Sequence, residues 1–268
     1  MLQDPSAAKV RGVAKLAKKD ARSETGLFLL EGPQGLKEAV NRPKLLVEVF
    51  ATEDALERYA EQFEKLESAR VQIQQVSERA LKAMADTATP QGVIAVCEQL
   101  DVSLDSVLDQ NAQLLVLLSN IRDPGNAGTV LRAADAAGAD AVILSSNSVD
   151  VYNPKVVRST AGSIFHLPIV TEADSVDAIA KAQAAGFQVF AADGGGDAIN
   201  DLPAGALAKP TLWVFGNEAW GFEPEVLNAV DRVVGLPIYG SAESLNLATA
   251  ASVCLYESAF AQNGANNR

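Results

Sequence analysis

Residues 114–145 read LLVLLSNIRDPGNAGTVLRAADAAGADAVILS. An apolar run, LLVLLS (114–119), predicts a buried strand. A helix is expected from about 126 to 138, and AVILS (141–145) predicts a second buried strand. Short apolar strands that alternate with helices belong to a mostly parallel sheet covered on both faces. The same alternation continues toward the C-terminus. NPKVVRSTAG (153–162) predicts a short helix, FHLPIV (165–170) a strand, 174–185 a helix and FQVFAAD (187–193) a strand. GGGD (194–197) reads as a turn. TLWVFG (211–216), a helix near 223–230, VVGLPI (233–238) and a long helix over 244–260 follow. That last helix is apolar on nearly all sides, so it is expected to be buried. The tail QNGANNR (262–268) is expected to be disordered.

Working back toward the N-terminus, DVSLDSVLDQNAQ (101–113) is a polar connector and the expected domain boundary. Before it lies a second α/β unit. Residues 6–21 predict a basic amphipathic helix and GLFLLE (26–31) a strand, followed by a helix over 33–40. LLVEVFA (45–51), a charged helix over 53–67, VQIQQV (71–76), a short helix over 77–84 and GVIAVCE (92–98) complete the unit. The expected organisation is therefore residues 1–100, a linker over 101–113, and a larger domain over 114–262.

Composition narrows the function classes. Hydrophobic residues make up 48% of the 268-residue chain, enough for a substantial core. No run approaches the roughly 20 apolar residues that span a bilayer. The N-terminal MLQDPSAAKVRG lacks the apolar segment of a signal peptide. A cytoplasmic protein with no membrane partner is expected. The net charge of −12 argues against a generic nucleic-acid binder, but its distribution is uneven. Residues 1–100 hold 14 Lys/Arg and 15 Asp/Glu, whereas residues 101–268 hold 8 and 19. Lys9, Arg11, Lys15, Lys18, Lys19 and Arg22 cluster at the N-terminus, so any RNA reader is expected in the first hundred residues. The one histidine, His166, opens an apolar run and reads as structural. Its solitude removes most Ser-His-Asp and Cys-His schemes and any His-rich metal site. Cys97 and Cys254 lie in apolar runs and read as buried free thiols.

In open α/β sheets, ligands bind where strands end at their carboxyl edge. Three strand exits in the larger domain concentrate polar and special residues: 119–138, 215–225 (FGNEAWGFEPE) and 236–257 (LPIYGSAESLNLATAASVCLYE). The first has Gly125, Gly128 and Gly138 but not the G-x-G-x-x-G spacing. No acidic residue closes the next strand to hold a ribose, so a nicotinamide site is disfavoured. No G-x-x-x-x-G-K-S/T loop exists anywhere in the chain. Arg132 stands in an alanine-rich helix, where it faces a ligand or an interface, or else forms a surface ion pair with Asp135. Glu218 follows Gly216 and Asn217 directly after a buried strand. Ser244 and Asn246 begin the last helix, and Ser244 has the chemistry of an N-cap.

Taken together, the three segments resemble the three motifs of the SpoU (TrmH-like) RNA methyltransferases, in order. Asn120–Arg132 looks like N-x-R-D-P-G-N-x-G-T-x-x-R, Gly216–Gly221 like G-x-E-x-x-G, and Leu236–Ala250 like the L-P-I…S-L-N-L segment. FLLEGPQGLKEA (28–39) and TPQGVIAV (89–96) resemble the family's ribosomal-protein-like RNA-binding domain. The resemblance implies a trefoil-knotted parallel-sheet methyltransferase domain behind a smaller α/β RNA-binding domain. The knot would involve roughly residues 211–250. It also implies a homodimer and transfer of a methyl group from S-adenosyl-L-methionine to a ribose 2′-hydroxyl of RNA. Ribosomal RNA is favoured over transfer RNA by the N-terminal domain. A non-catalytic RNA binder on the same scaffold would require decay of the site residues.

The resemblance carries over catalytic positions Asn126, Arg132, Glu218, Ser244 and Asn246, with donor contacts, largely main-chain, at Gly216, Leu236, Ile238 and Leu245. The family proposal makes the arginine the base. A guanidinium is effectively always protonated, so a less demanding role for Arg132 is to orient a phosphate and stabilise negative charge on the 2′-oxygen. Glu218 is expected to fix Arg132 or the substrate, and Ser244 and Asn246 to organise the site.

Overall fold

A computed structural model describes residues 2–108 and 111–266. In chain order the elements begin with α1 (Ala8–Lys15), α2 (Lys19–Thr25), β1 (Leu27–Glu31), α3 (Pro33–Ala39) and β2 (Leu46–Ala51). Next come α4 (Glu53–Arg58), α5 (Ala60–Ser68), β3 (Ile73–Gln75), α6 (Glu78–Met84), β4 (Val93–Glu98) and α7 (Leu104–Leu108). Then follow β5 (Leu114–Leu118), α8 (Pro124–Ala137), β6 (Ala141–Ser145), α9 (Pro154–Ser159), β7 (Ile169–Ala173) and α10 (Ser175–Ala184). The chain closes with β8 (Gln188–Ala198), β9 (Thr211–Phe215), α11 (Pro224–Ala229), β10 (Arg232–Gly235) and α12 (Leu247–Asn266).

The chain divides into two compact units, Met1–Leu100 with Tyr152–Phe165, and Asp101–Val151 with His166–Arg268. The first holds a four-stranded sheet in the order β1-β4-β2-β3, antiparallel except for β2 and β3. The second holds a six-stranded, fully parallel sheet in the order β10-β8-β9-β5-β6-β7. Its central strands β5, β6 and β9 are buried at every position, as expected where helices cover both faces. Leu115, Leu117, Ile143, Val189, Leu212 and Val214 pack into one core with Ile179 and Val226 from α10 and α11. The buried Trp213 of β9 donates its indole N–H to Ser258 Oγ at 2.9 Å, which fastens α12 to the sheet.

Several local expectations are corrected. The helix expected over 6–21 is two helices separated at Leu16–Lys18, and the helix expected over 53–67 breaks at Tyr59. Arg22 is 2% exposed and donates from Nη1 to the Leu16 carbonyl at 2.9 Å, so it closes that break rather than facing solvent. The connector 101–113 contains α7, and its residues 109 and 110 lie outside the described residues. GGGD is not a free turn. β8 runs through it, pairing with β10 at Ala191 opposite Val233 and again at Asp197 opposite Val234. Residues 192–196 are thus looped out of the ladder. A Cβ on Gly196 would sit 2.5 Å from the Val233 carbonyl carbon, so only glycine permits this approach. The last helix starts at Leu247, and only one of its faces is buried. Val253, Tyr256 and Phe260 are exposed on the other. The tail is helical to Asn266, and residues 267 and 268 lie outside the described residues.

The segment 152–165 joins the first unit through side chains rather than sheet pairing. The Tyr152 and Phe165 rings lie 4.9 and 6.3 Å from that of Phe28. The Leu100 N–H donates to Tyr152 Oη at 2.7 Å. Arg158 forms ion pairs with Glu31 and Asp86, each at 2.9 Å. The buried Glu31 carboxylate also accepts the N–H groups of Asp86 and Thr87 at 3.1 Å. Removing one partner of such a pair strands the other charge and two donors. Glu31→Ala is therefore expected to destabilise the chain by about 3 kcal/mol, measured by urea unfolding. A loss below about 1 kcal/mol would show that the pair behaves as a surface contact.

Candidate active site

Three loops leave the carboxyl edge of the parallel sheet, and hydrogen bonds tie them together. The first begins at Asn120, which is buried with φ +59°, a left-handed conformation that asparagine tolerates better than most residues. Its N–H donates to Ser145 Oγ at 2.9 Å, and its Nδ2 donates to Glu223 at 2.9 Å. Its carbonyl accepts from Asn217 Nδ2 of the second loop at 2.7 Å. Asp123 then caps α8 by accepting the Asn126 N–H at 2.7 Å, with Pro124 in the first turn. The second loop is a tight turn closed by reciprocal Asn217–Gly221 backbone bonds of 2.7 and 3.0 Å. The third loop, after β10, ends at Asn246, whose Oδ1 accepts the Ala248 N–H at 2.9 Å. The cap of α12 is therefore Asn246, not Ser244. Ser244 lies three residues before the helix, exposed.

One carboxylate joins the loops. Glu218 accepts the Arg122 and Asp123 N–H groups at 3.4 and 3.3 Å and the Asn126 Nδ2 at 3.2 Å. Asn126 Oδ1 in turn accepts from Asn246 Nδ2 at 3.1 Å. Glu218, Asn126 and Asn246 thus form a relay with one member from each loop. Of the two roles expected for Glu218, fixing Arg132 or the substrate, the first is not seen: its hydrogen bonds go to the start of α8.

The loops enclose a cavity of about 700 Å³, within the range of small-molecule sites. Asn126, Glu218, Ser244 and Asn246 line it, as do Gly216, Leu236, Ile238 and Leu245. Of the positions singled out in sequence, Arg132 alone is absent from the lining. It lies six residues beyond Asn126 on α8, about 9 Å further along the axis and on another face. It is exposed, without a hydrogen bond or ion pair among the described residues. Asp135, its alternative partner, instead pairs with His166 Nδ1 at 2.8 Å.

The lining also includes Asp193, Glu243 and Cys254, to which the sequence reading gave no role at the site; of these, Asp193 alone lies outside the three strand-exit segments. Asp193 lies inside β8, in the stretch looped out between its two pairings with β10, so no strand end marks it. The lining carries three carboxylates, Asp193, Glu218 and Glu243, and no Lys or Arg among the described residues. Among the described residues no group of three or more His, Cys, Asp or Glu is arranged to hold a metal ion. No helix there is long and apolar enough to cross a membrane.

Burial pushes the Cys254 thiol up to about 12, and burial likewise raises Cys97. Only the thiolate reacts with alkylating agents, and at pH 8 Cys254 is held as the thiol. Iodoacetamide is expected to modify it at least about 10²-fold more slowly in the native chain than in the urea-unfolded chain. Mass spectrometry of a time course measures this, and equal rates would show the thiol to be open and activated.

Known proteins resemble the chain along most of its length. The SpoU rRNA Methylase family model matches residues 113–256 and the MRM3-like substrate binding domain matches residues 7–95. The 23S rRNA (guanosine(2553)-2′-O)-methyltransferase RlmP of Bacillus subtilis is 33% identical, covering 92% of this chain and 94% of the relative. The AdoMet-bound rRNA methyltransferase of Sinorhizobium meliloti superposes with a TM-score of 0.82 at 28% identity, over 96% of both chains. The SpoU methyltransferase AviRb of Streptomyces viridochromogenes, in complex with AdoMet, does so with a TM-score of 0.83 at 29% identity. That match covers 96% of this chain and 100% of the other. The chain belongs to the SpoU rRNA methylase family.

Proposed function

We propose that the protein is an S-adenosyl-L-methionine-dependent methyltransferase acting on a ribose 2′-hydroxyl of RNA, with ribosomal RNA as substrate ahead of transfer RNA. One observation carries the reading. The relay Glu218–Asn126–Asn246 draws all three family motifs onto a single cavity at the carboxyl edge of a parallel sheet. The cavity also fits the donor, whose sulfonium and ammonium leave it net cationic. Three carboxylates line the site, with no competing basic residue among the described residues. Gly216, Leu236, Ile238 and Leu245 supply the backbone and apolar surface that would hold the adenosine. When bound, the donor supplies an electrophilic methyl group to an incoming oxygen.

The chain's own groups do the rest. In this reading Ser244, exposed at the cavity wall, and the second N–H of the Asn126 amide, whose first goes to Glu218, hydrogen-bond the acceptor ribose. Glu218 holds Asn126 in position and contributes negative potential. Arg132, outside the cavity, meets an RNA phosphate and steadies charge developing on the 2′-oxygen. In this reading the first unit, residues 1–100 with 152–165, presents the RNA, and the second, into which the expected linker 101–113 folds, carries the transfer. The matched substrate-binding model supports that division. The basic surface offered to RNA consists of Arg11, Lys15, Lys18 and Lys19, which are exposed, without the buried Arg22. The trefoil knot over roughly 211–250 belongs to this proposal, supported by the convergence of both loops of that stretch on one cavity. So does a cytoplasmic location, where ribosomal RNA is found.

The reacting atom is testable directly. A 2′-deoxy nucleotide at the target position is expected to abolish transfer while most binding survives, since only one oxygen is removed. Arg132→Ala is expected to lower turnover by about 10²-fold or more with donor affinity nearly unchanged by calorimetry. Methylation of the deoxy substrate would make a base atom the acceptor. Loss of donor binding in Arg132→Ala would make Arg132 structural.

A homodimer completes the proposal. Val253, Tyr256 and Phe260 form an exposed apolar stripe along α12, beside α8, to which the Tyr256 hydroxyl donates at the Ala136 carbonyl at 3.3 Å. Phe260→Glu is expected to shift the protein toward monomer in sedimentation velocity, and a monomeric unmodified protein would remove the dimer from the reading.

A further inference from the structure

The second compact unit is strongly acidic. Assigning Lys155 and Arg158 to the first unit leaves it six Lys/Arg against nineteen Asp/Glu, a balance of −13. No basic residue lines the cavity among the described residues. A ribose 2′-oxygen must nevertheless enter this site attached to a polyanion. Phosphate neutralisation, the usual source of affinity for nucleic acid, has little to work with there. Beyond the single phosphate contact assigned to Arg132, attraction at the site then draws on groups that do not depend on charge.

Two side chains have the required chemistry. Trp220 is 62% exposed and Tyr239 is 90% exposed. Both stand on the loops that build the cavity, Trp220 between the lining residues Ala219 and Gly221, and Tyr239 directly after the lining residue Ile238. Neither ring packs against another aromatic among the described residues. The turn that carries Trp220 is rigid, because Asn217 and Gly221 close it and Asn217 is itself anchored to Asn120. An indole held out on a stiff turn contributes nothing to the core, yet it loses little freedom on binding a flat partner.

We infer that Trp220 and Tyr239 are positioning residues that stack on unpaired bases of the RNA at the mouth of the methyl-transfer cavity. The inference rests on RNA being the substrate of this site. Every base has a π-face, so stacking on aromatic rings works without phosphate contacts and suits an unstacked loop nucleotide. It also assigns the two units different tasks: backbone recognition by exposed lysines and arginines of the first, and base capture by neutral rings in the second.

Fluorescence isolates one of the rings. The chain has two tryptophans, and Trp213 is fully buried with its indole bonded to Ser258. A ten-nucleotide single-stranded oligoadenylate, added to the full-length protein with donor present, is expected to quench the Trp220 emission. A blunt duplex of the same length is not. Trp220→Phe is expected to lose the quench while binding the oligonucleotide within about three-fold of the unmodified protein. Trp220→Ala and Tyr239→Ala are each expected to weaken binding about ten-fold, by the same factor at 50 and 200 mM salt, because a stack releases no counterions. Donor affinity is expected to hold in all of them. An absent quench, phenylalanine variants as weak as alanine variants, or a loss that vanishes at high salt would each overturn the inference. So would loss of donor binding, which would make the rings part of the cavity wall, or a change in oligomeric state, which would place them between copies. Quenching without methylation of any RNA would support the stacking and sink the methyl-transfer reading.

Discussion

The Glu218 carboxylate is the constraint on which the site depends. Three loops leave the sheet at different points in the chain, and none is held by regular secondary structure. Glu218 accepts two backbone N–H groups at the start of α8 and the side chain of Asn126, which in turn binds Asn246 at the start of α12. The N-terminal ends of two helices are thereby referred to one acidic side chain. A negative charge there is also favoured by the helix dipole. The same group that orders the loops adds to the negative potential of the cavity, so structure and ligand preference are coupled in a single residue.

That potential has a consequence for substrate handling. A site lined by carboxylates attracts a cation and repels a polyanion, and methyl transfer to RNA needs both in one place. The chain separates the two demands. Net charge is close to balanced in the first unit, with exposed Arg11, Lys15, Lys18 and Lys19 near its N-terminus, and is heavily negative in the second. Arg132, exposed on α8 and absent from the cavity lining, keeps its positive charge off the carboxylate-lined wall.

The insertion of residues 152–165 into the first unit shows how far linear order can depart from spatial order. Tyr152, Arg158 and Phe165 bind Phe28, Glu31 and Asp86, more than 60 residues away in sequence. Periodicity identifies α9 as a helix but is silent on which sheet it covers. An amphipathic segment carries information about how much surface it hides, not about the partner that hides it. The buried Glu31–Arg158 pair supplies that choice of partner through charge and hydrogen bonding.

Sequence alone determined the class of fold and most of the site. β5, β6 and β9 are legible because a strand covered on both faces must be apolar throughout, and a local composition records that need. Eight of the nine site positions singled out in sequence line the cavity, because strand exits in parallel sheets are where loops converge. Tertiary structure alone decided the rest. Arg132 falls off the cavity because a helix turns 100° per residue, so a motif contiguous in sequence is split between faces. Asp193 joins the site because β10 pairs on either side of residues 192–196 and pushes them out of the ladder, a register choice made between distant strands. Ser244 is freed for the cavity because Asn246, two residues on, takes the cap. Each of these outcomes depends on which groups compete for the same hydrogen bonds or the same space, and that competition exists only once the chain is folded.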